Sequence, residues 1–158
     1  MANLWDSKIV SIISGWNDER CFDAFRSLSC KIQDDSTYWS VLGSLWKLCG
    51  SVKQQELWVP YFLSERRNRQ KVMTSAERKA LSRLPSIVTA YRAVNDDSEA
   101  EQAISWTLSE AVAVHTFSQN GKRKVTKRQF EKGRIFAYFN RRQEQEIIVL
   151  PLEGSTNA

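Results

Sequence analysis

The spacing of apolar residues changes character at Pro85, and no single secondary-structure class accommodates both patterns. Before it, apolar residues recur at helical intervals. Trp5, Ile9, Ile12 and Ile13 form one stripe, and Phe22, Phe25 and Leu28 a second. Trp39, Leu42, Leu45, Trp46 and Leu48 form a third. Gly15 and Gly50 stand where helices should stop, and Pro60 predicts a break within Gln55 to Leu63. Ser64 to Lys71 is polar and basic. Thr74-Ser75-Ala76-Glu77 then matches a capping box, predicting a short helix ended by Pro85.

After Pro85 the apolar runs are short and β-branched. Ile87 to Val94, Ile104 to Leu108, Ile135 to Phe139 and Ile147 to Leu150 read as strands. Ser109 to Phe117 carries a helical stripe of Ala111, Val114 and Phe117. Asp96 to Glu101 and Gln119 to Lys124 read as loops, and Glu153 to Ala158 as a loose tail. The chain is therefore expected to be α+β, with a helical region over 1–84 and a strand-rich region over 85–158. Trp5, Trp39 and Trp46 are the expected core of the helical half.

Composition removes several function classes. At 158 residues, 42% apolar and 26% charged, the chain has the balance of a soluble globular protein. It lacks an apolar run long enough for a membrane span, and its start does not read as a signal peptide. Three cysteines (Cys21, Cys30, Cys49) and one histidine (His115), without a CxxC, do not make a zinc site; reduced thiols in a cytoplasmic protein are expected. The net charge of +5 favours acidic partners. The basic runs Arg66 to Lys71 and Lys122 to Arg128 read as solvated loops, or as guides towards nucleic acid or an acidic complex.

Three pieces in the strand-rich half carry chemistry. Arg92 lies late in the first strand. Ser105-Trp106-Thr107 follows, and Glu144-Gln145-Glu146 runs directly into Ile147-Ile148-Val149-Leu150. In a strand, residues two apart share a face at roughly 7 Å. Ser105 and Thr107 would then point one way, as would Glu144 and Glu146. One arginine, two hydroxyls and two carboxylates converging on a cleft suit cleavage of a glycosidic bond beside an anionic group. The arginine forks onto phosphate or ribose, and a carboxylate stabilises an oxocarbenium-like ribose. The second carboxylate serves as base for the nucleophile. Plainer roles compete at each position: Arg92 paired with Asp96 or Asp97, Thr107 as a helix cap before Glu110, and the two glutamates as a solvated strand face.

In this order, the residues resemble the R-S-E class of ADP-ribosyltransferases. Tyr91-Arg92, Ile104-Ser105-Trp106-Thr107-Leu108, Phe136-Ala137-Tyr138-Phe139 and Gln143-Glu144-Gln145-Glu146-Ile147-Ile148 are similar to a group of small phage-encoded proteins with that fold. The resemblance covers roughly Leu84 to Pro151 and, more faintly, Tyr38 to Leu84. It implies a helical N-terminal half packed on a strand-rich ADP-ribosyltransferase-like half. NAD would be the substrate, and the target a host protein or defence complex in the host cytoplasm. By the same resemblance Arg92 would contact NAD, Ser105 and Thr107 would shape the nicotinamide-ribose pocket, and Phe117 would lie near the nicotinamide. Glu146 would be catalytic and Glu144 would address the acceptor. Ala93 and Ser118-Gln119 depart from the family, which often has glycine and arginine there. Two alternatives are an inactive fold that inhibits a nucleic-acid-handling complex by binding, as an anti-CRISPR protein would, and an NAD glycohydrolase.

Overall fold

The structure is a computed structural model that describes residues 3–16, 20–49, 52–118 and 121–151. The chain divides into two compact units, Met1–Thr74 and Ser75–Ala158.

The first unit is helical, with α1 Leu4–Ser14, α2 Arg20–Leu28, α3 Asp35–Cys49 and the short α4 Val59–Phe62. Asn3 caps α1, accepting from the Asp6 backbone N–H at 2.8 Å, and Gly15 stops it as expected. Gly50 lies outside the described residues. Pro60 sits in the first turn of α4 and starts a helix where a break was expected, because proline's fixed φ and missing N–H suit that position.

The core of this unit is aromatic. Phe22 stacks on Trp58 with ring centroids 3.8 Å apart, and Trp46 meets Trp58 and Phe62 edge-on. Trp39 and Trp46 are buried as expected, whereas Trp5 is 52% exposed. Ile9 and Ile13, four apart, form the buried stripe of α1, and Trp5 and Ile12 fall outside it. Trp5 still donates from its indole N–H to the Lys31 carbonyl at 2.9 Å. Leu48, the last member of the third stripe, is exposed too. The buried Asp6 carboxylate accepts from the backbone N–H groups of Gln33 and Asp34, both at 2.8 Å, which ties α1 to the start of α3.

The second unit begins at α5 Ser75–Ser82, ten residues before the expected boundary at 84/85. The reason is the buried Glu77. Its carboxylate accepts from the Asn140 backbone N–H at 2.8 Å and from the Arg141 guanidinium at 3.2 Å, holding α5 to the end of strand β4.

Five strands, β1 Ile87–Val94, β2 Ser105–Thr107, β3 Lys124–Glu131, β4 Ile135–Phe139 and β5 Glu146–Val149, form one antiparallel sheet in the order β3-β1-β2-β5-β4. Four of them lie where short apolar runs predict them. β3 does not, because it is an edge strand whose Lys124, Lys127, Arg128 and Gln129 are exposed.

Asp96 to Glu101 is not a loop. α6 Asp97–Gln102 occupies it, capped by Asp96, whose carboxylate accepts from the Glu99 backbone N–H at 3.1 Å. Asp96 and Glu99 have capping-box spacing, a signal that was present in the sequence. The segment after β2 is α7 Glu110–Val112 followed by a π-helical turn, Ala113–Phe117. The fold is thus α+β.

Candidate active site

β2 lies between β1 and β5, so each piece singled out in the sequence is carried on one of three neighbouring strands or at its end. The β2–β5 ladder sets Ser105 opposite Ile148, Trp106 opposite Ile147 and Thr107 opposite Glu146. Glu146 is therefore a diagonal neighbour of Ser105 on the same sheet face, within reach of a serine hydroxyl. The Ser105 hydroxyl donates to Glu146 Oε2. Glu146 is only 9% exposed, a burial that a carboxylate tolerates when it is hydrogen-bonded.

Arg92 enters from β1, one residue past Tyr91, which pairs with Thr107. Its Nη1 donates to the Ser105 carbonyl at 2.6 Å. Ser105 thus connects the arginine, through its backbone, to the glutamate, through its side chain. Arg92 is buried, and its Nε has no hydrogen-bond partner among the described residues. Burial pulls its pKa below the usual arginine value. Glu99 opposes that pull, Arg123 adds to it, and Glu146 opposes it.

The pairing partner of Arg92 is not Asp96 or Asp97. Its Nη2 lies 3.7 Å from Glu99 Oε1, on α6. The same oxygen accepts from Arg123 Nη2 at 2.7 Å, and Arg123 Nε is also buried and unpartnered among the described residues. Neither Glu99 nor Arg123 stands out in the sequence. Glu99 looks like one of several acidic loop residues, and Arg123 like one of several basic ones.

Thr107 does not cap the following helix. Ser109 does, accepting from the Val112 N–H at 3.2 Å, while Thr107 Oγ1 accepts from the Ser109 N–H at 3.1 Å. The Thr107 hydroxyl donates instead to the Glu144 carbonyl at 2.5 Å. Glu144 is therefore tied to the site through its backbone.

The strand argument that Glu144 and Glu146 share a face does not apply, because β5 starts at Glu146. Gln145 has φ +48°, and Gln143 φ +57°, so alternation stops at the strand's first residue. Glu144 is half-buried in that turn. The Phe117 backbone lies in the π-helical turn, and its side chain is outside the described residues.

Arg92, Ser105 and Glu146 thus form one hydrogen-bonded and electrostatic group, and Thr107, paired with Glu146 across the β2–β5 ladder, ties the Glu144 carbonyl to it. Among the described residues no group of histidine, cysteine or carboxylate side chains could hold a metal ion, and no helix is long and apolar enough to cross a membrane. No family of known sequences, no curated protein and no solved structure matches the chain.

Proposed function

We propose that the chain is an NAD-dependent ADP-ribosyltransferase that modifies a macromolecule. The observation that carries this reading is the hydrogen bond from Ser105 to Glu146 beside the guanidinium of Arg92. A carboxylate held by a hydroxyl has its charge fixed in direction before substrate arrives, which is what stabilising a cationic ribose requires. In the reaction, the bond between ribose C1′ and the nicotinamide nitrogen breaks and its electron pair leaves with nicotinamide. Glu146 stabilises the positive charge left on the ribose. An acceptor then attacks C1′, and Glu144 takes its proton. Arg92, buried and with an unpartnered Nε, binds the anionic part of the dinucleotide.

The resemblance to phage-encoded proteins makes a host protein or defence complex the expected acceptor. A second reading, binding without catalysis, is favoured by the exposed Lys124, Lys127 and Arg128 on edge strand β3, which suit an acidic partner. Labelled NAD added with host lysate separates the readings. Label on a macromolecule supports transfer. Free ADP-ribose alone supports a glycohydrolase, and no consumption supports the binding inhibitor.

A further inference from the structure

Edge strand β3 carries backbone groups that the second unit leaves unused. Its pairing with β1 runs without interruption from Ile87 opposite Glu131 to Val94 opposite Lys124. One residue beyond, the Lys132 N–H donates to the Ser86 carbonyl at 2.8 Å. In an antiparallel ladder, hydrogen-bonded pairs alternate with pairs whose backbone groups point away. Lys124, Thr126, Arg128 and Phe130 therefore direct their N–H and C=O groups to β1, while those of Val125, Lys127, Gln129 and Glu131 point outward. Just before the strand, the outward Arg123 N–H finds the Ser118 carbonyl at 2.9 Å. Among the described residues of this unit, nothing does the same for the four outward residues of β3. The opposite edge differs: in β4 Ile135, Ala137, Tyr138 and Phe139 are buried, and Glu77 of α5 holds the strand's end.

A row of alternating donors and acceptors is matched by another extended backbone. Phosphate offers acceptors alone, so nucleic acid would leave the outward carbonyls unanswered. A second copy of β3 is opposed by charge. Lys127 and Arg128 are adjacent at the strand's centre, and antiparallel self-pairing sets such residues against one another. Lys124, Lys127 and Arg128 are exposed, and the ion pair of Lys124 with Asp97 is exposed too and correspondingly weak. The middle of β3 also walls a cavity of about 370 Å³, where Arg128, Gln129 and Phe130 meet Ile104 and Arg134. Two arginines line it with one carboxylate, Glu101. Arg128 donates to the Ala100 carbonyl at 3.4 Å and Arg134 to the Leu150 carbonyl at 3.1 Å, which leaves each guanidinium further N–H groups for an acidic side chain.

We propose that β3 is a docking edge for an extended acidic segment of a partner protein, which joins the five-stranded sheet as a sixth strand and places one carboxylate side chain in the arginine-lined cavity. In such strand addition the backbone bonds supply affinity and the side-chain pocket supplies specificity. The partner is the acceptor if the chain transfers ADP-ribose and the blocked complex if it only binds. The docking edge needs neither reading, and its test uses no NAD, so its failure leaves the catalytic reading standing.

The test uses a short, fluorescently labelled peptide of alternating glutamate and threonine, with lysine in place of glutamate as reference. Binding to the full chain is followed by polarisation, and amide hydrogen exchange by nuclear magnetic resonance. The acidic peptide should slow exchange by roughly tenfold or more at Val125, Lys127, Gln129 and Glu131, and leave Thr126, Arg128 and Phe130 unchanged, since β1 already holds them. Lys127→Glu should weaken binding of the acidic peptide roughly tenfold. Gln129→Pro removes one outward donor without changing charge or losing a ladder bond, and should weaken it to a similar extent. If Gln129→Pro does not fold, the exchange pattern of the wild type decides alone. No binding of the acidic peptide, equal binding of both peptides, or binding without alternate protection overturns the proposal. A single-stranded oligonucleotide that binds tighter than the peptide and is lost in Lys127→Glu gives the strand to nucleic acid and overturns it. Protection of the same four amides that grows with protein concentration, without peptide, gives the edge to a second copy and overturns it as well.

Discussion

Ser105 and Glu146 are joined diagonally across the β2–β5 ladder, where neither faces the other directly: Ser105 opposes Ile148, and Glu146 opposes Thr107. A register slip of one residue would send the two side chains to opposite faces. The contact therefore depends on the whole strand pairing. Glu146→Gln keeps an oxygen that can accept from Ser105 and removes only the charge. The variant should stay folded by circular dichroism and lose NAD cleavage by a factor on the order of 10² or more. Unchanged turnover of labelled NAD would remove Glu146 from the chemistry.

Arg92 should bind the dinucleotide through its planar fork. Lysine can replace the charge but cannot reach the Ser105 carbonyl and a phosphate together. Arg92→Lys should weaken NAD binding by about tenfold or more, measured by calorimetry. Equal affinity would return Arg92 to a structural role, holding β1 to β2 and Glu99.

The parts of the molecule that were legible in the sequence are those where burial and periodicity agree. β1 spans Ile87–Val94 as its β-branched run predicts, and α1 stops at Gly15. β3 was hidden because an edge strand facing solvent shows basic residues, not apolar ones. Trp5 misled because a helical stripe records spacing without saying which flank is covered. At the site, the order of Arg92, Ser105, Thr107 and Glu146 was readable because β2 is short and central. Glu99 and Arg123 were not readable: the ion pair joins residues 24 apart, and each sits within a run of similar charge. The turn at Gln143 and Gln145 was invisible because neither residue type signals positive φ.

Gly43, within α3, should resist replacement. A Cβ built there would lie 2.1 Å from the Val72 carbonyl oxygen in the 3₁₀ turn Arg69–Val72. Alanine gains about 0.5–1 kcal/mol over glycine in a helix interior. A clash with backbone atoms forces the turn away from α3 and typically costs ~1–3 kcal/mol, so the clash wins. Gly43→Ala should lower Tm. A higher Tm would mean that the close approach of α3 and the turn yields at little cost.

Tyr38 makes the helical unit sensitive to alkali. Burial pushes its phenol up to about 12, and the nearby Tyr61 adds to the rise. Ser64 and Arg66 pull the other way. The folded pKa is raised above the unfolded value of 10, so the neutral phenol's contribution is fully present below pH 10 and is lost as pH rises towards 12. In that window stability should fall by up to about 1.4 kcal/mol per pH unit from this group. Tyr38→Phe gives up the hydrogen bond to the Tyr61 carbonyl at 2.8 Å, costing ~1 kcal/mol at neutral pH. Its urea midpoint should decline less between pH 10 and 12 than that of wild type. Parallel declines would show that other groups govern alkaline unfolding.

Glu144 should govern transfer more than cleavage. Its carbonyl is fixed by the Thr107 hydroxyl at 2.5 Å, and the adjacent Gln145 carbonyl accepts from the Leu108 N–H at 2.9 Å. Asn140 Oδ1 accepts from the Gln145 N–H at 3.2 Å. The turn is therefore pinned on both sides, and Glu144 lies before β5, where strand alternation does not set it on the face of Glu146. A carboxylate so placed can take a proton from an acceptor at the rim without touching the ribose. Glu144→Gln should reduce labelling of the target while slow hydrolysis of NAD continues. Thr107→Val removes the pin but keeps the side chain's volume, so it should lower the ratio of transferred to hydrolysed ADP-ribose in the same direction, by loosening the turn. The measurement is that ratio in wild type and both variants. If both activities fall together in Glu144→Gln, Glu144 belongs to the ribose site. If neither falls, Glu146 alone of the two glutamates carries chemistry. A changed ratio in Glu144→Gln with an unchanged one in Thr107→Val would show that the turn holds its shape without the threonine, through the Leu108 and Asn140 bonds alone.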